Sequence, residues 1–381
     1  MQQIFSMHSI KMVDLHGQYT KIKAEIDQAI QKVIDNTSFV KGEDVQLFEA
    51  ELGNYLGIDH VIACANGTDA LQIALMALDL KPGDEVITAD FTFIATAEVI
   101  ALLGLKPVLV DVDPETFLID TQLIEKNITP RTKAIIPVHL FGQIANMDEI
   151  MRIAQKHRLF VIEDNAQAIG ADYYGSINKK AGTIGHIGCT SFFPSKNLGC
   201  FGDGGALFTN DEKLATRIRS VANHGMTRRY YHDDIGINSR LDGIQAAILR
   251  VKLKYLDDYN SQRANAASIY DSLLGDISEI TVPNRTPLSN HIFHQYTLKG
   301  DGFDREAFIQ FLKEKGVPCM IYYPVPLHMQ KAYLHYDFDN NAFPVTDALC
   351  KTVFSLPMHT ELTLAEQTYM ANCIKEFFLK A

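Results

Sequence analysis

Several features that commonly announce a function are missing from this chain. Its six cysteines, at 64, 189, 200, 319, 350 and 373, include no CxxC pair. A zinc or dithiol motif therefore has no support, and free buried thiols in a reducing cytosol are expected. The thirteen histidines show no HExxH or similar ligand spacing, so no metal site is expected. No apolar run is long enough to span a bilayer, and the N-terminal MQQIFSMHSIKM lacks the apolar core of a signal peptide. We expect a protein free of the membrane and cytoplasmic. Basic residues cluster only briefly, at Lys179-Lys180 and Arg228-Arg229, within a net charge of −11. That leaves no basic stripe for a nucleic acid. No GxGxxG joins the first strand to its helix, where CANGTDA stands instead, and this argues against a nicotinamide-dinucleotide dehydrogenase or epimerase. Internal repeats and low-complexity tails are also missing.

What is present is core material. The chain has 381 residues, 47% of them hydrophobic, enough for one large domain and a smaller one. Helical spacing of Ile22, Ile26, Ile30, Val33 and Ile34 predicts a helix over 19–36, and a second follows over 45–55. Short apolar strands are expected over 61–64, 85–88, 107–112, 134–138 and 159–163. Helices over 70–78, 92–103, 121–126 and 147–157 alternate with them. Such alternation predicts an α/β fold with a largely parallel sheet between helices. Ligands then bind beyond the carboxyl ends of the strands. Asn66, Phe93, Asp164 and Lys196 all fall just after strands.

The stretch 189–210, CTSFFPSKNLGCFGDGGALFTN, is the centre of the pattern. Lys196 follows a short strand and precedes glycines 199, 202, 204 and 205, before a second strand over 206–209. Glycines permit close backbone approach to a ligand. A lysine held in a desolvated pocket loses its proton more readily and becomes a nucleophile toward carbonyl groups. Taken alone, a lysine near a loop is usually a solvated charge. Two further elements raise the functional reading. Cys64 to Leu78 reads strand, turn, helix, with NGTDA at the turn, a helix N-terminus suited to an anion or simply an ordinary cap. Asp164 closes the strand LFVIE, either as a cap or as a carboxylate facing a ligand.

Together NGTDAL, EDNAQA, SFFPSKNLGC and NSRLD resemble the DegT/StrS family of nucleotide-sugar aminotransferases, over nearly the whole chain. The resemblance implies pyridoxal 5'-phosphate (PLP) fold type I, the aspartate aminotransferase architecture. It has a large domain with a mostly parallel seven-stranded sheet between helices and a small α+β C-terminal domain. Residues 36–254 would form the large domain, with 1–35 and 255–381 in the small one. Lys196 is implied as the covalent cofactor anchor and the acid–base group. Asp164 is implied at the pyridine nitrogen, Gln167 at the ring hydroxyl and Phe93 over the ring. Gly67, Thr68, Asp69 and Ser191 are implied around the phosphate. Asn238, on the loop 222–242, would reach the cofactor phosphate of a neighbouring subunit, which requires a homodimer with active sites at its interface. Arg229, Arg240, Tyr322, Tyr323 and His328 are implied around the sugar. Two departures stand out: Asp90 where proline is frequent, and Tyr322 where histidine is frequent.

The implied reaction moves an amino group from an amino acid, L-glutamate above all, to the keto carbon of a nucleoside-diphosphate sugar, with pyridoxamine phosphate (PMP) as the intermediate cofactor form. The motifs look most like the branch acting at C3 of UDP-2-acetamido-2-deoxy-3-oxo-glucuronate, in surface-polysaccharide or lipopolysaccharide synthesis. A dTDP-3-keto-6-deoxyhexose is the alternative substrate. A sugar dehydratase of the same fold would carry histidine at 196, and a non-catalytic sensor would have no use for both Lys196 and Asp164.

Overall fold

The computed structural model describes residues 10–380. The stretch MQQIFSMHS, where the signal-peptide reading falls, and Ala381 lie outside the described residues. In chain order the elements are α1 (Leu15–Asp35), α2 (Glu43–Leu56), β1 (His60–Cys64), α3 (Gly67–Ala77), β2 (Glu85–Ala89), α4 (Ala95–Leu102), β3 (Lys106–Val110), α5 (Thr121–Lys126) and β4 (Thr132–Ile136). They continue with α6 (Met147–His157), β5 (Phe160–Asp164), the hairpin β6 (Asp172–Tyr174) and β7 (Asn178–Lys180), β8 (Ile187–Ser191), β9 (Gly205–Thr209) and α7 (Glu212–Val221). The last set is the hairpin β10 (Met226–Arg228) and β11 (Tyr231–His232), α8 (Gly243–Leu253), α9 (Leu256–Leu274), β12 (Ile280–Thr281), β13 (Tyr296–Gly300), α10 (Arg305–Glu314), α11 (Pro344–Thr352), β14 (Val353–Leu356) and α12 (Leu364–Lys380).

Seven strands form one sheet in the order β1-β9-β8-β5-β4-β2-β3. Only β9 runs antiparallel to its neighbours, β1 and β8. Consecutive residues explain why this sheet is covered on both faces. Ile87, Ile135 and Val161 join one buried cluster with Ile150 and Ile153 of α6. Their chain neighbours Val86, Ile136 and Ile162 join another with α3 and α7. Each strand is apolar on both sides, so water is excluded from both and only helices can cover it. Each fully buried aliphatic side chain contributes roughly 1.5–3 kcal/mol relative to exposure.

A second, antiparallel sheet runs β12-β13-β14. Phe308, Phe354, Met370 and Ile374 pack it against α10 and α12. We propose the partition 36–254 against 1–35 with 255–381 on the strength of these two sheets. Helix α1 touches both parts. Ile22 and Ile26 pack on Ile248 and Val251 of α8, while Lys21 pairs with Glu361 at 2.7 Å. Among the described residues no helix is long and apolar enough to cross a membrane.

Most predicted elements are present, with displaced ends. The segment 293–298, whose composition suits a strand, forms one only from Tyr296. Phe293 has a left-handed φ of 49°, and the chain before β13 is instead tied to the 140s turn by Ile292 N donating to Gly142 O at 2.9 Å. The 222–242 stretch, read as loop, contains the β10–β11 hairpin.

One buried group anchors the strand end that matters most. Glu163 is fully buried, and its carboxylate accepts from the backbone N–H groups of Gly182, Ile184 and Gly185 at 2.9, 2.6 and 2.5 Å. It also meets His139 Nε2 at 2.8 Å. Glu163→Gln places an amide against these donors. It is expected to lower stability by about 3 kcal/mol in urea unfolding followed by circular dichroism; an unchanged midpoint would sink this role.

Candidate active site

The carboxyl ends of β1, β2, β5 and β8 surround a cavity of about 660 Å³. At its β1 edge, Asn66 caps α3 by accepting from Asp69 N at 2.8 Å. A side chain at Gly67 would bring its Cβ within 2.7 Å of Ser191 Cβ. Glycine is what lets the N-terminus of α3 lie against the end of β8. Thr68 and Ser191 line the cavity at this edge, where the helix dipole favours an anion.

Asp164 ends β5 and is held at both oxygens. Thr96 Oγ1 donates to Oδ2 at 2.7 Å, and Ala166 N donates to Oδ1 at 3.2 Å. Its backbone carbonyl accepts from His139 N at 3.0 Å. Gln167 is clamped as well: its Oε1 accepts from Phe141 N at 2.7 Å, and its Nε2 donates to the Tyr323 hydroxyl at 3.1 Å. Phe93 is 54% exposed at the cavity mouth, 6.2 Å from the Tyr323 ring.

Lys196 sits in the turn after β8, with its N–H donating to Phe193 O at 2.8 Å. The next residue, Asn197, is buried and donates to Asn260 Oδ1 at 2.8 Å and Ile292 O at 3.2 Å. Behind the turn, the buried Lys252 donates to Gly199 O at 2.5 Å. The turn is therefore fixed on three sides and the lysine side chain enters the cavity. Burial lowers the Lys196 pKa to about 8, with Asp164 opposing part of the fall. His294 also lines the cavity; burial, then Lys196 and Arg263, push its pKa well below the usual range.

These residues suit PLP. The Gly67–Ser191 approach leaves a cradle for a phosphate, and a carboxylate, an amine and an aromatic face border the same space. Thr92 Oγ1, also at the cavity, is buried with no partner.

Of the residues singled out from sequence, Gly67, Thr68, Phe93, Asp164, Gln167, Ser191, Lys196, Tyr322 and Tyr323 line this one cavity. Asp69 stands beside it, its N–H taken by the Asn66 cap. Arg229, Asn238 and Arg240 are not among its lining residues. Arg229 is exposed beside Tyr230, Asn238 is exposed with its backbone paired to Asn223, and Arg240 lines a separate groove. His328 differs from expectation. Its ring is buried, with Nδ1 2.7 Å from Asp90 Oδ2 and a stack on Phe343 at 4.4 Å. A buried carboxylate at 90 captures the imidazole, so His328 braces the end of β2 instead of facing the cavity. Burial works against the charged ring, but Asp90 outweighs it and raises the pKa of His328. Thr96 escaped sequence reading. Its signal was a lone hydroxyl in the apolar run Ile94 to Ala97, one helical turn beyond Phe93.

Residues 20–375 match the family described as the DegT/DnrJ/EryC1/StrS aminotransferase family. The chain is similar to UDP-2-acetamido-2-deoxy-3-oxo-D-glucuronate aminotransferase of Pseudomonas aeruginosa, 48% identical across 93% of this chain and 97% of that one. It is also similar to UDP-N-acetyl-3-dehydro-alpha-D-glucosamine 3-aminotransferase of Acidithiobacillus ferrooxidans, 45% identical across 96% of this chain and 97% of that one. In structure it resembles NtdA from Bacillus subtilis with bound cofactor PMP, with a TM-score of 0.90 and 32% identity across 98% of this chain and 86% of that one.

The lowered pKa of Lys196 is open to direct measurement. In cofactor-free protein, acetylation of Lys196 followed by mass spectrometry should titrate near pH 8. Asp164→Asn removes the charge that opposes the fall, so the midpoint should drop further. A midpoint in the range of an exposed lysine would contradict the desolvated site.

Proposed function

The chain belongs to the DegT/DnrJ/EryC1/StrS aminotransferase family, and from that premise we propose that it transfers an amino group from L-glutamate to C3 of UDP-2-acetamido-2-deoxy-3-oxo-glucuronate. It is a PLP-dependent nucleotide-sugar aminotransferase. The observation that carries the reading is one cavity shared by Lys196, Asp164, the cradle at Thr68 and Ser191, and the Phe93 ring. The 48% identity to an enzyme named for this sugar acid supports the choice of substrate. Such a product fits surface-polysaccharide or lipopolysaccharide synthesis in the cytoplasm.

PLP supplies, when bound, an aldehyde that exchanges amines and a ring that acts as an electron sink. Asp164, fixed by Thr96 and Ala166, would keep a positive charge on the ring nitrogen. Thr68, Ser191 and the backbone at Gly67 would hold the phosphate, Gln167 the ring hydroxyl, and Phe93 one ring face, while Asp69, whose N–H serves the Asn66 cap, steadies the turn. Lys196 would anchor the cofactor covalently. Once released, its amine would take the proton from the donor's α-carbon and, in the second half, deliver one to C3 of the sugar. A base with a pKa near the working pH is suited to both tasks, and burial places Lys196 at about 8.

The active unit is a homodimer in this reading. Arg229, Asn238 and Arg240 are not among the residues lining their own cavity, and they lie on a stretch where Tyr230 is 77% and Ile235 87% exposed. A second copy would cover those side chains and receive Asn238 at its cofactor phosphate and Arg229 and Arg240 at its sugar. Tyr322 and Tyr323 would meet the sugar from within the same chain.

Lys196→Ala is expected to abolish turnover and to leave no cofactor on the peptide after borohydride reduction; residual transamination would refute the assignment. Asn238→Ala should weaken PLP retention by about tenfold, the loss of one charge-assisted hydrogen bond, in a dimer verified by light scattering. Among nucleotide keto-sugars assayed side by side, the uronate should show the highest kcat/KM. A preference for a dTDP-3-keto-6-deoxyhexose would overturn the substrate but not the chemistry.

A further inference from the structure

A second groove, of about 470 Å³, lies beside the loop that carries Asn238 and Arg240. Its charged lining residues are Lys41, Glu49, Arg219 and Arg240. Three cations against one carboxylate is an unusual balance in a chain of net charge −11. The single carboxylate is also committed: Glu49 accepts from Arg219 at 3.0 Å and from Ala63 N at 2.9 Å. Lys41 and Arg240 have no carboxylate partner among the described residues. Both turn to one neutral acceptor, Asn223 Oδ1, at 2.7 and 3.4 Å. Arg240 Nε is buried with no partner.

An amide oxygen has two lone pairs and no charge. It can tether two cations but cannot offset their mutual repulsion, whereas an anion placed between them would do so. Two further facts tie Lys41 to the active site. Asn223 pairs through its backbone with Asn238, so the tether connects Lys41 to the residue read as reaching a neighbour's cofactor. Lys41 also follows Phe39 and Val40, which are 44% and 54% exposed, and Val40 bridges to Asp242, two residues beyond Arg240.

We propose that Lys41 is a specificity-determining residue: with Arg240, and tethered through Asn223, it forms a two-cation subsite for the sugar carboxylate of the nucleotide sugar seated in the neighbouring subunit. The inference rests on the dimeric reading given above. A carboxylate suits the pair because it offers two coplanar oxygens, one for a guanidinium taken side-on and one for an ammonium acting as a point charge. A neutral sugar would leave both cations uncompensated. Lys41 would thus separate a uronate from its uncharged counterpart.

The test uses PLP-loaded, full-length protein whose dimeric state is verified by light scattering. UDP-2-acetamido-2-deoxy-glucuronate and UDP-N-acetylglucosamine, neither of which carries a keto group, are titrated calorimetrically. Lys41→Gln keeps a donor for Asn223 and removes the charge. It is expected to weaken binding of the acid by about tenfold, the scale of one hydrogen bond to a charged group, and to spare the neutral ligand. Lys41→Arg should restore most of the difference. Unchanged binding of the acid in a dimer that retains its cofactor overturns the role of Lys41 while leaving the aminotransferase reading intact. An equal loss with both ligands would put the charge on the diphosphate and also overturn the carboxylate assignment. A monomer that retains its cofactor and full turnover overturns the dimeric reading and this subsite together.

Discussion

In the proposed reaction everything depends on one amine held out of water, that of Lys196. Lys196 gains nothing from its position in terms of stability, because a desolvated ammonium loses its hydration and no ion pair replaces it. The surroundings supply the rigidity that keeps it there. Asn197 grips α9 and the 290s through its amide, and Lys252 grips Gly199 from below. Asp164 limits how far the pKa falls. Its own position is set by Thr96, by Ala166 and by the buried anchor Glu163 one residue earlier. Amine and carboxylate are thus each fixed by protein groups other than the other.

Much of this was legible in the sequence because it is local. Apolar runs of about five residues with helices between them dictate a two-sided sheet, and residues just beyond strand ends converge wherever the strands are parallel. That alone groups Asn66, Phe93, Asp164 and Lys196. The family resemblance added the roles. Contacts made between distant segments were not legible. Thr96 bonds Asp164 across 68 positions, and Gln167 reaches Tyr323 across 156. No periodicity encodes such a pair, and a threonine in a helix is otherwise unremarked. Element ends were displaced for a related reason: residues 92–94 bend around the cavity before α4 can begin at Ala95.

The departures from the family's usual residues carry information of their own. An acid at 90 draws His328 inward and converts a position expected at the substrate into a brace between the end of β2 and the 325–330 segment. The cavity wall there is made by Tyr322 and Tyr323 instead. Arg229, Asn238 and Arg240 stay outside the cavity that holds Lys196, which suits the proposal that they serve a neighbouring subunit.

The reversed strand β9 has a mechanical corollary. Ser191 and Gly205 are direct partners across the β8–β9 pair, in the interior of the sheet. The segment bearing Lys196 therefore leaves and re-enters the sheet at neighbouring points, both clamped by ladders on either side. Such a segment has no free end to hinge about. Whatever travel the two proposed tasks would ask of the amine has to come from rotation about the four carbons of its own side chain, over a backbone that stays still.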